Sequence, residues 1–257
     1  MLELRNVSFG YPGREKLLEG ITLTFPQKQI TTILGPNGSG KSTLLKISGS
    51  LLKPSSGEIL LNGENINRMK PREVAAKVAI LAQSMHPPEM EVEELVAFGR
   101  YPYRKYGQNL TKEDQKRIEE AMAQVGILAY RHRLVSRLSG GERQRAYIAM
   151  ALAQDTDLIF LDEPTTYLDI HIRFSLMDLI QELNRMGKTI VMVLHDLNLA
   201  LEYSHKLILM EEGKIVRTGS SEELIASKEL DRVFRIKTRI FTEEEKKWVL
   251  FTGESGI

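Results

Sequence analysis

The chain has 257 residues, 35 of them Lys or Arg against 34 Asp or Glu, and no cysteine. That length holds one large α/β domain or a core with a modest insert. The balanced charge argues against a nucleic-acid partner, and the missing thiols exclude disulfides, thiol catalysis and Cys-based metal sites, which suits a reducing cytosol.

Residues 1–5 carry neither the basic n-region nor the long apolar core of a signal peptide. No apolar run approaches the ~20 residues of a membrane-spanning helix, so a chain that is soluble by itself is expected. Residues 2–9 and 21–25 alternate apolar and polar, the period of half-exposed, antiparallel strands. Tyr11-Pro12-Gly13 lies between them; Tyr11 could stack on an adenine ring or serve as a simple turn aromatic.

Ile30–Leu34 is a β-branched apolar run that reads as a buried strand, and residues 43–47 read as the first turns of a helix. Between them stands Gly35-Pro36-Asn37-Gly38-Ser39-Gly40-Lys41-Ser42, which fits the phosphate-loop pattern G-x-x-x-x-G-K-[ST]. Glycines allow backbone N–H groups to turn inward around an anion, and the helix dipole adds partial positive charge there. Lys41 supplies a full charge for the terminal phosphates, and the Ser42 hydroxyl can ligate Mg²⁺. Nucleotide binding follows from this stretch and its context.

Gly49 and Pro54 close that helix. Residues 59–61 form a further strand ending in the hairpin signal Asn62-Gly63. A helix over 71–77 precedes a buried strand over 78–81 that closes at Gln83. The composition then changes, with Pro87-Pro88, a helix over about 92–98, and a charged helix opened by Thr111 and ended by Gly126. Together they suggest a helical insert. Arg100–Tyr106, basic, aromatic and broken by proline, reads as solvated surface or a protein interface.

Ser139 and Glu142 make an S-x-x-E capping box for a helix to about Gln154. A cap alone has no need of Gly140 and Gly141, so an anion-binding helix start is the better account. Strands over 158–161 and 189–194 deliver Asp162-Glu163 and His195-Asp196 at their ends. In open parallel sheets the ligand site lies at the strands' carboxyl ends. Gly35, Gln83, Asp162 and His195 all occupy that position. The chain closes with a hairpin about Glu211-Glu212-Gly213, a helix capped by Ser220 and running to about Phe234, and a second hairpin around 242–245. The sole tryptophan, Trp248, reads there as structural packing.

The combination specifies nucleotide hydrolysis. Lys41 and the loop amides hold the β- and γ-phosphates, and Ser42 and Asp162 hold the metal directly or through water. Glu163 is placed to orient and deprotonate the attacking water, His195 to bond the γ-phosphate or the water, and Gln83 to sense the γ-phosphate.

Over essentially its whole length the sequence resembles the ATP-binding subunits of ABC transporters. The resemblance rests on Gly35–Ser42 (Walker A), Gln83 (Q-loop), Leu138–Glu142 (signature), Leu158–Glu163 (Walker B), Tyr167-Leu168-Asp169 (D-loop) and His195 (H-loop), in family order. It implies an α/β fold: a P-loop NTPase core with a mainly parallel sheet, an N-terminal antiparallel β subdomain and a helical subdomain inserted over about 84–137. All of this would form a single ABC ATPase domain over 1–257, with a C-terminal helix and strands over about 220–257. It implies Glu163, His195 and Lys41 as catalytic groups, and ATP held by Gly35–Ser42 with Thr43, Gln83 and Tyr11, Tyr11 in the family's adenine-stacking place. Ser42, Gln83 and Asp162 would surround Mg²⁺. Two subunits would close head to tail on ATP as a homodimer, Ser139, Gly140 and Gly141 of one meeting the γ-phosphate held by the other's Lys41.

A finer resemblance, through residues 92–103, 145–154 and 193–198, is to importers of iron-siderophore, haem or cobalamin type. Met150 stands where the wider family usually has arginine. The implied partners are integral membrane permease subunits, docked on about residues 84–106, and indirectly a substrate-binding protein. The implied location is the cytoplasmic face of the cell membrane. A soluble ABC protein of DNA repair or translation, a small P-loop kinase and an ABC ATPase serving another cargo are the competing readings; neither tandem cassettes nor a long coiled-coil insertion is present for the first, and the second would lack Ser139–Glu142.

Overall fold

A computed structural model describes residues 1–13, 16–82, 87–104, 108–243 and 246–253. The chain opens with β1 (Leu2–Gly10), β2 (Lys16–Phe25), β3 (Ile30–Leu34), α1 (Lys41–Ser48), β4 (Ser56–Leu61) and β5 (Glu64–Asn65). There follow α2 (Pro71–Ala75), β6 (Val78–Leu81), α3 (Val92–Ala97), α4 (Lys112–Gln124) and α5 (Gly140–Ala153). Next come β7 (Leu158–Asp162), α6 (Ile170–Arg185), β8 (Thr189–Val193) and α7 (Leu197–Tyr203). The last elements are β9 (Lys206–Glu211), β10 (Lys214–Gly219), α8 (Ser221–Ser227), α9 (Glu229–Phe234), β11 (Ile236–Glu243) and β12 (Lys246–Gly253). Two compact units result, Met1–Glu64 with Val193–Ile257, and Asn65–Met192. No described helix is long and apolar enough to cross a membrane.

In the first unit, β1 lies between β2 and β4, antiparallel to both, with Leu4 opposite Leu23 on one side and Ile59 on the other. The period-two pattern sends Leu2, Leu4, Leu23 and Ile59 inward, and all four are buried. β3 pairs in parallel with β9, which carries β10 antiparallel as a hairpin. Every residue of β3 is buried, as its unbroken apolar and β-branched run requires of a strand covered on both faces. In the second unit β6 and β7 are parallel, and β8 borders β7. The fold class is α/β with mainly parallel core strands, an antiparallel N-terminal sheet and a group of helices following β6.

Those helices are held by one hub. α3 and α4 pack on α5, burying Val92, Leu95, Val96, Ile118, Met122 and Ile148. α4 starts where its capping box predicts, with Thr111 Oγ1 accepting from the Asp114 N–H at 3.1 Å, and stops at Gly126, whose φ of +74° suits glycine.

Three expectations are corrected. The 3₁₀ segment Phe98–Tyr103 is no solvated loop at Arg100, which is 7% exposed. Its guanidinium donates to Asp114 Oδ1 at 2.9 Å and to the Ala153 carbonyl at 2.7 Å, and it lies over the Tyr103 ring at 4.2 Å. The preceding Gly99 permits this, because a Cβ there would sit 2.2 Å from the Met150 carbonyl oxygen of α5. The helix capped by Ser220 does not run to Phe234; Lys228, at φ +61°, breaks it into α8 and α9. Trp248 is not packed away: in the β11–β12 hairpin it lies opposite Phe241, and the two are 58% and 50% exposed.

Burial pushes the Asp114 carboxyl up, the largest single effect, but the hydrogen bonds from Thr111 and Arg100 together hold it below its ordinary value. Its contribution to stability is therefore complete above the ordinary carboxylate range and is lost as pH falls through the lowered value. Arg100→Ala should leave that carboxylate buried without its cation and destabilise the protein by about 3–5 kcal/mol. Thermal unfolding at neutral pH measures this. An unchanged midpoint would show that the pair does not hold the segment to α4 and α5.

Candidate functional site

In the first unit β3 runs straight into the phosphate loop. Gly35 follows its last residue so close to β9 that a Cβ would lie 2.3 Å from the Met210 carbonyl oxygen. The loop then turns through Gly38 (φ +82°) and Gly40 (φ +96°) into α1, whose first turn carries neither a side-chain cap nor an acidic residue. A helix start with no side chain across its amides is what anion binding needs.

Two backbone bonds set the loop's shape. The Ser39 N–H donates to the Pro36 carbonyl at 3.2 Å, and the Gly213 N–H, from the β9–β10 turn, donates to the Ser39 carbonyl at 3.2 Å. Lys41 is buried and its Nζ donates to the carbonyls of Gly35 and Pro36, both at 2.9 Å. The ammonium is thus folded onto the loop's own oxygens, which a phosphate would displace as stronger acceptors. Ser39 Oγ is buried without a hydrogen-bond partner among the described residues. Asn37 and Gly38 are exposed, Pro36, Gly40 and Ser42 half-buried, and Thr43 buried.

His195 belongs to the same unit. The Leu194 N–H donates to the Ile33 carbonyl at 3.4 Å, so His195 leaves its strand beside the one that enters the phosphate loop, and its side chain is exposed. The neighbouring Asp196 caps α7, its carboxylate accepting from the N–H groups of Asn198 (3.0 Å) and Leu199 (3.2 Å). Tyr11 is 39% exposed and meets the edge of Phe9 at 4.9 Å between ring centroids, leaving part of its ring open.

In the second unit β7 ends at the buried Asp162, and Glu163 follows in a left-handed conformation, φ +54°. The tight turn Glu163–Thr166, closed by the Thr166 N–H on the Glu163 carbonyl at 3.3 Å, redirects the chain toward α6. Asp162 and Glu163 line a cavity of about 340 Å³ with Gly140, Arg143, Gln144 and Tyr167 among its other walls. The carboxylates and one glycine of the signature are therefore brought to one cavity inside this unit. Arg143 Nε is buried without a hydrogen-bond partner among the described residues.

Ser139 caps α5, its Oγ accepting from the Glu142 N–H at 3.3 Å while Glu142 Oε2 accepts from the Ser139 N–H at 2.8 Å. That backbone bond, more than any other effect, holds the Glu142 carboxyl below its ordinary value. The glycines here also have a packing reason that sequence alone did not show: a Cβ on Gly141 would lie 2.6 Å from Ile172 Cγ2 of α6. Gln83 lies outside the described residues. Sequence reasoning passed over Thr166 and Arg143; a hydroxyl residue three positions after Glu163 was the available signal.

The protein-family model for ABC transporters matches residues 18–166. The petrobactin import ATP-binding protein FpuD of Bacillus anthracis is 42% identical over 244 residues, covering 94% of this chain and 89% of that one. The ferric enterobactin transport ATP-binding protein FepC of Escherichia coli is 42% identical over 239 residues, covering 92% and 88%. Among solved structures, a Clostridium perfringens cbiO1 that is part of the ABC transporter complex cbiONQ superposes with a TM-score of 0.78 at 28% identity, over 90% of this chain and 92% of that one. A dimeric ATP-binding cassette in a post-hydrolysis state with ADP and Pi gives 0.74 at 30% identity, over 86% and 99%. A phosphate loop at a strand end, with paired carboxylates at another, defines a P-loop nucleotide-binding protein. The chain belongs to the ABC transporter family. It is an ATP-binding ATPase coupled to transport.

Gly35 and Gly38 differ in a way that can be measured. Alanine at 35 must push apart two backbone segments, whereas alanine at 38 meets nothing within 4 Å and faces only the left-handed conformation, about 1–2 kcal/mol. Gly35→Ala should lower the unfolding midpoint more than Gly38→Ala and weaken ATP binding at least tenfold. Calorimetric titration with ATP and a thermal melt of each variant check the order, and equal effects would mean the Met210 contact does not shape the loop.

Proposed function

We propose that this chain hydrolyses ATP to energise import of a metal chelate of the siderophore class through a separate membrane permease, working as a homodimer at the cytoplasmic face of the membrane. The supporting observation for the cargo class is that relatives at 42% identity, each matched over more than nine-tenths of this chain, are import or transport ATP-binding proteins for petrobactin and ferric enterobactin. A substrate-binding protein would hand cargo to the permease and never touch this chain. Residues 1–257 act as one ABC ATPase domain, with the helical insert over about 84–137.

In this reading Lys41 exchanges the Gly35 and Pro36 carbonyls for the β- and γ-phosphate oxygens of ATP, assisted by the amides of residues 38–43. Tyr11 stacks on the adenine, and Gln83 has the role of sensing the γ-phosphate. Glu163 is the general base for the attacking water and His195 bonds the γ-phosphate. Ser42 and Asp162 offer a hydroxyl and a carboxylate, the hard oxygen donors Mg²⁺ takes along with phosphate and water. Held by these groups, Mg²⁺ would supply charge neutralisation to the phosphates. Ser139, Gly140 and Gly141 present the start of α5 to ATP held by the other copy.

The surface around Tyr167 supports the dimer. Tyr167, in the turn before α6, adopts φ +64° with 90% of its surface exposed, and Ile170 (72%) and Phe174 (43%), one helical turn apart, are exposed at the start of α6. An apolar row of this kind next to the carboxylates suits burial against a second copy. Glu163→Gln should retain ATP binding, lose about 10²–10⁴ in turnover and accumulate as an ATP-bound dimer. Adding Ile170→Arg to that variant should return it to monomer in size-exclusion chromatography. A dimer that survives the arginine places the interface elsewhere, and near-normal turnover by Glu163→Gln removes it as the base.

The permease would dock on the groove of about 300 Å³ lined by Met90, Glu94, Ala97, Phe98, Tyr101 and Arg104. Phe98 stacks on Tyr101 at 5.0 Å, and the Arg104 guanidinium lies 5.3 Å from the Tyr101 centroid, so the aromatic pair is braced yet open to solvent. The buried Arg100 takes no direct part. Tyr101→Asp should leave the isolated subunit's basal ATPase within about twofold and abolish uptake and permease co-purification. Normal uptake would disprove this docking place.

A further inference from the structure

Glu163 needs more than a place at a strand end to serve as a base. Its side chain has three rotatable bonds, and a carboxylate displaced by about 1 Å from its reacting water can cost 10²-fold. Its backbone is fixed by the turn it opens, where the Thr166 N–H donates to the Glu163 carbonyl at 3.3 Å. The same residue also reaches the side chain, Thr166 Oγ1 donating to Glu163 Oε2 at 3.2 Å. Both residues are half-buried, and both line the cavity that Asp162 and Gly140 share.

We infer that Thr166 is the positioning residue for the catalytic carboxylate: its hydroxyl holds Glu163 Oε2 so that the carboxylate is oriented by the turn that carries it. This rests on the reading of Glu163 as the base. The turn is short and bounded by left-handed residues, Glu163 at φ +54° and Tyr167 at +64°, and it carries both the hydroxyl and the carboxylate. Buried neighbours hold that turn: Thr165 at 7% and Leu168 at 8% exposure are its inward anchors. Leu168 in turn lies against the start of α5, 3.1 Å from where a Gly140 Cβ would be. The proton stays on the threonine throughout. A hydrogen bond to the ionised carboxylate orients it without competing for the proton that Glu163 takes from water.

The test separates orientation from binding and from folding. Thr166→Ala should lower kcat for ATP about 10- to 100-fold while KM stays within about twofold and the unfolding midpoint is unchanged. Thr166→Ser, which keeps the hydroxyl, should recover most of the rate; Thr166→Val, which keeps the shape, should not. In a Glu163→Ala background, Thr166→Ala should cost nothing further, because its effect passes through the carboxylate. Wild-type turnover in Thr166→Ala, or a valine variant as active as the serine one, overturns the inference, as does a full additional loss in the double variant. If Glu163→Ala alone abolishes turnover while Thr166→Ala is normal, only this inference falls. If Glu163→Ala is itself active, the base assignment falls and takes the inference with it.

Discussion

The phosphate loop depends on backbone touching backbone. Gly35 sits where a Cβ would come within 2.3 Å of the Met210 carbonyl, and Gly213 where one would come within 2.1 Å of the Leu17 carbonyl. Between these two contacts the Gly213 N–H holds the Ser39 carbonyl, and the Glu19 N–H holds the Gly213 carbonyl. The loop is therefore wedged between β3, the β9–β10 turn and β2, and its curvature is set before any ligand arrives. Preorganised amides gain affinity because little ordering remains to be done on binding. A flexible glycine loop with the same sequence but no such wedge would lose part of its binding energy to that ordering.

In the second unit the turn after β7 meets the opposite problem. Here side chains, not amides, must be aimed, and the turn after β7 does it by accepting strain. Two non-glycine residues, Glu163 and Tyr167, adopt left-handed conformations that cost about 1–2 kcal/mol each. Such conformations persist only where surroundings over-determine them. The surroundings are visible: Asp162, Thr165 and Leu168 are buried around the turn, and Gly140 and Gly141 give α5 the room to lie against Leu168 and Ile172. The two glycines thus let α5 approach α6 and the Leu168 side chain closely enough to brace the turn that carries Glu163.

Much of this was legible in the sequence because the relevant signals are local. Ile30–Leu34 reads as a buried strand from its apolar, β-branched run, and the glycine-rich stretch after it reads as a phosphate loop entering a helix. The caps at Thr111, Ser139 and Ser220 each fix a helix start through a side chain three residues from its partner. What sequence hid was long-range. Arg100 looked like part of a basic aromatic loop because its partners, Asp114 and Ala153, are 14 and 53 residues away. Lys228 carries no residue-type signal for a left-handed break, so α8 and α9 read as one helix. Trp248 read as packing because tryptophan is rarely left open, yet the two-stranded hairpin that carries it exposes Ile240, Phe241, Trp248 and Leu250.

The contrast between Arg100 and Arg104 shows how a single segment is divided between structure and surface. Both sit in one basic aromatic stretch and both lie near a tyrosine, 4.2 Å for Arg100 over Tyr103 and 5.3 Å for Arg104 over Tyr101. Gly99 decides between them. With no side chain, it lets the 3₁₀ turn approach α5 until Arg100 is enclosed and must have an anion, which Asp114 supplies. Arg104 instead meets the Gln108 carbonyl at 3.2 Å and the Tyr101 ring, and it lines the open groove beside Phe98. The buried arginine fixes the segment to α4 and α5, and that fixed base is what allows Phe98 and Tyr101 to remain exposed as a stacked pair without collapsing onto the helices beneath.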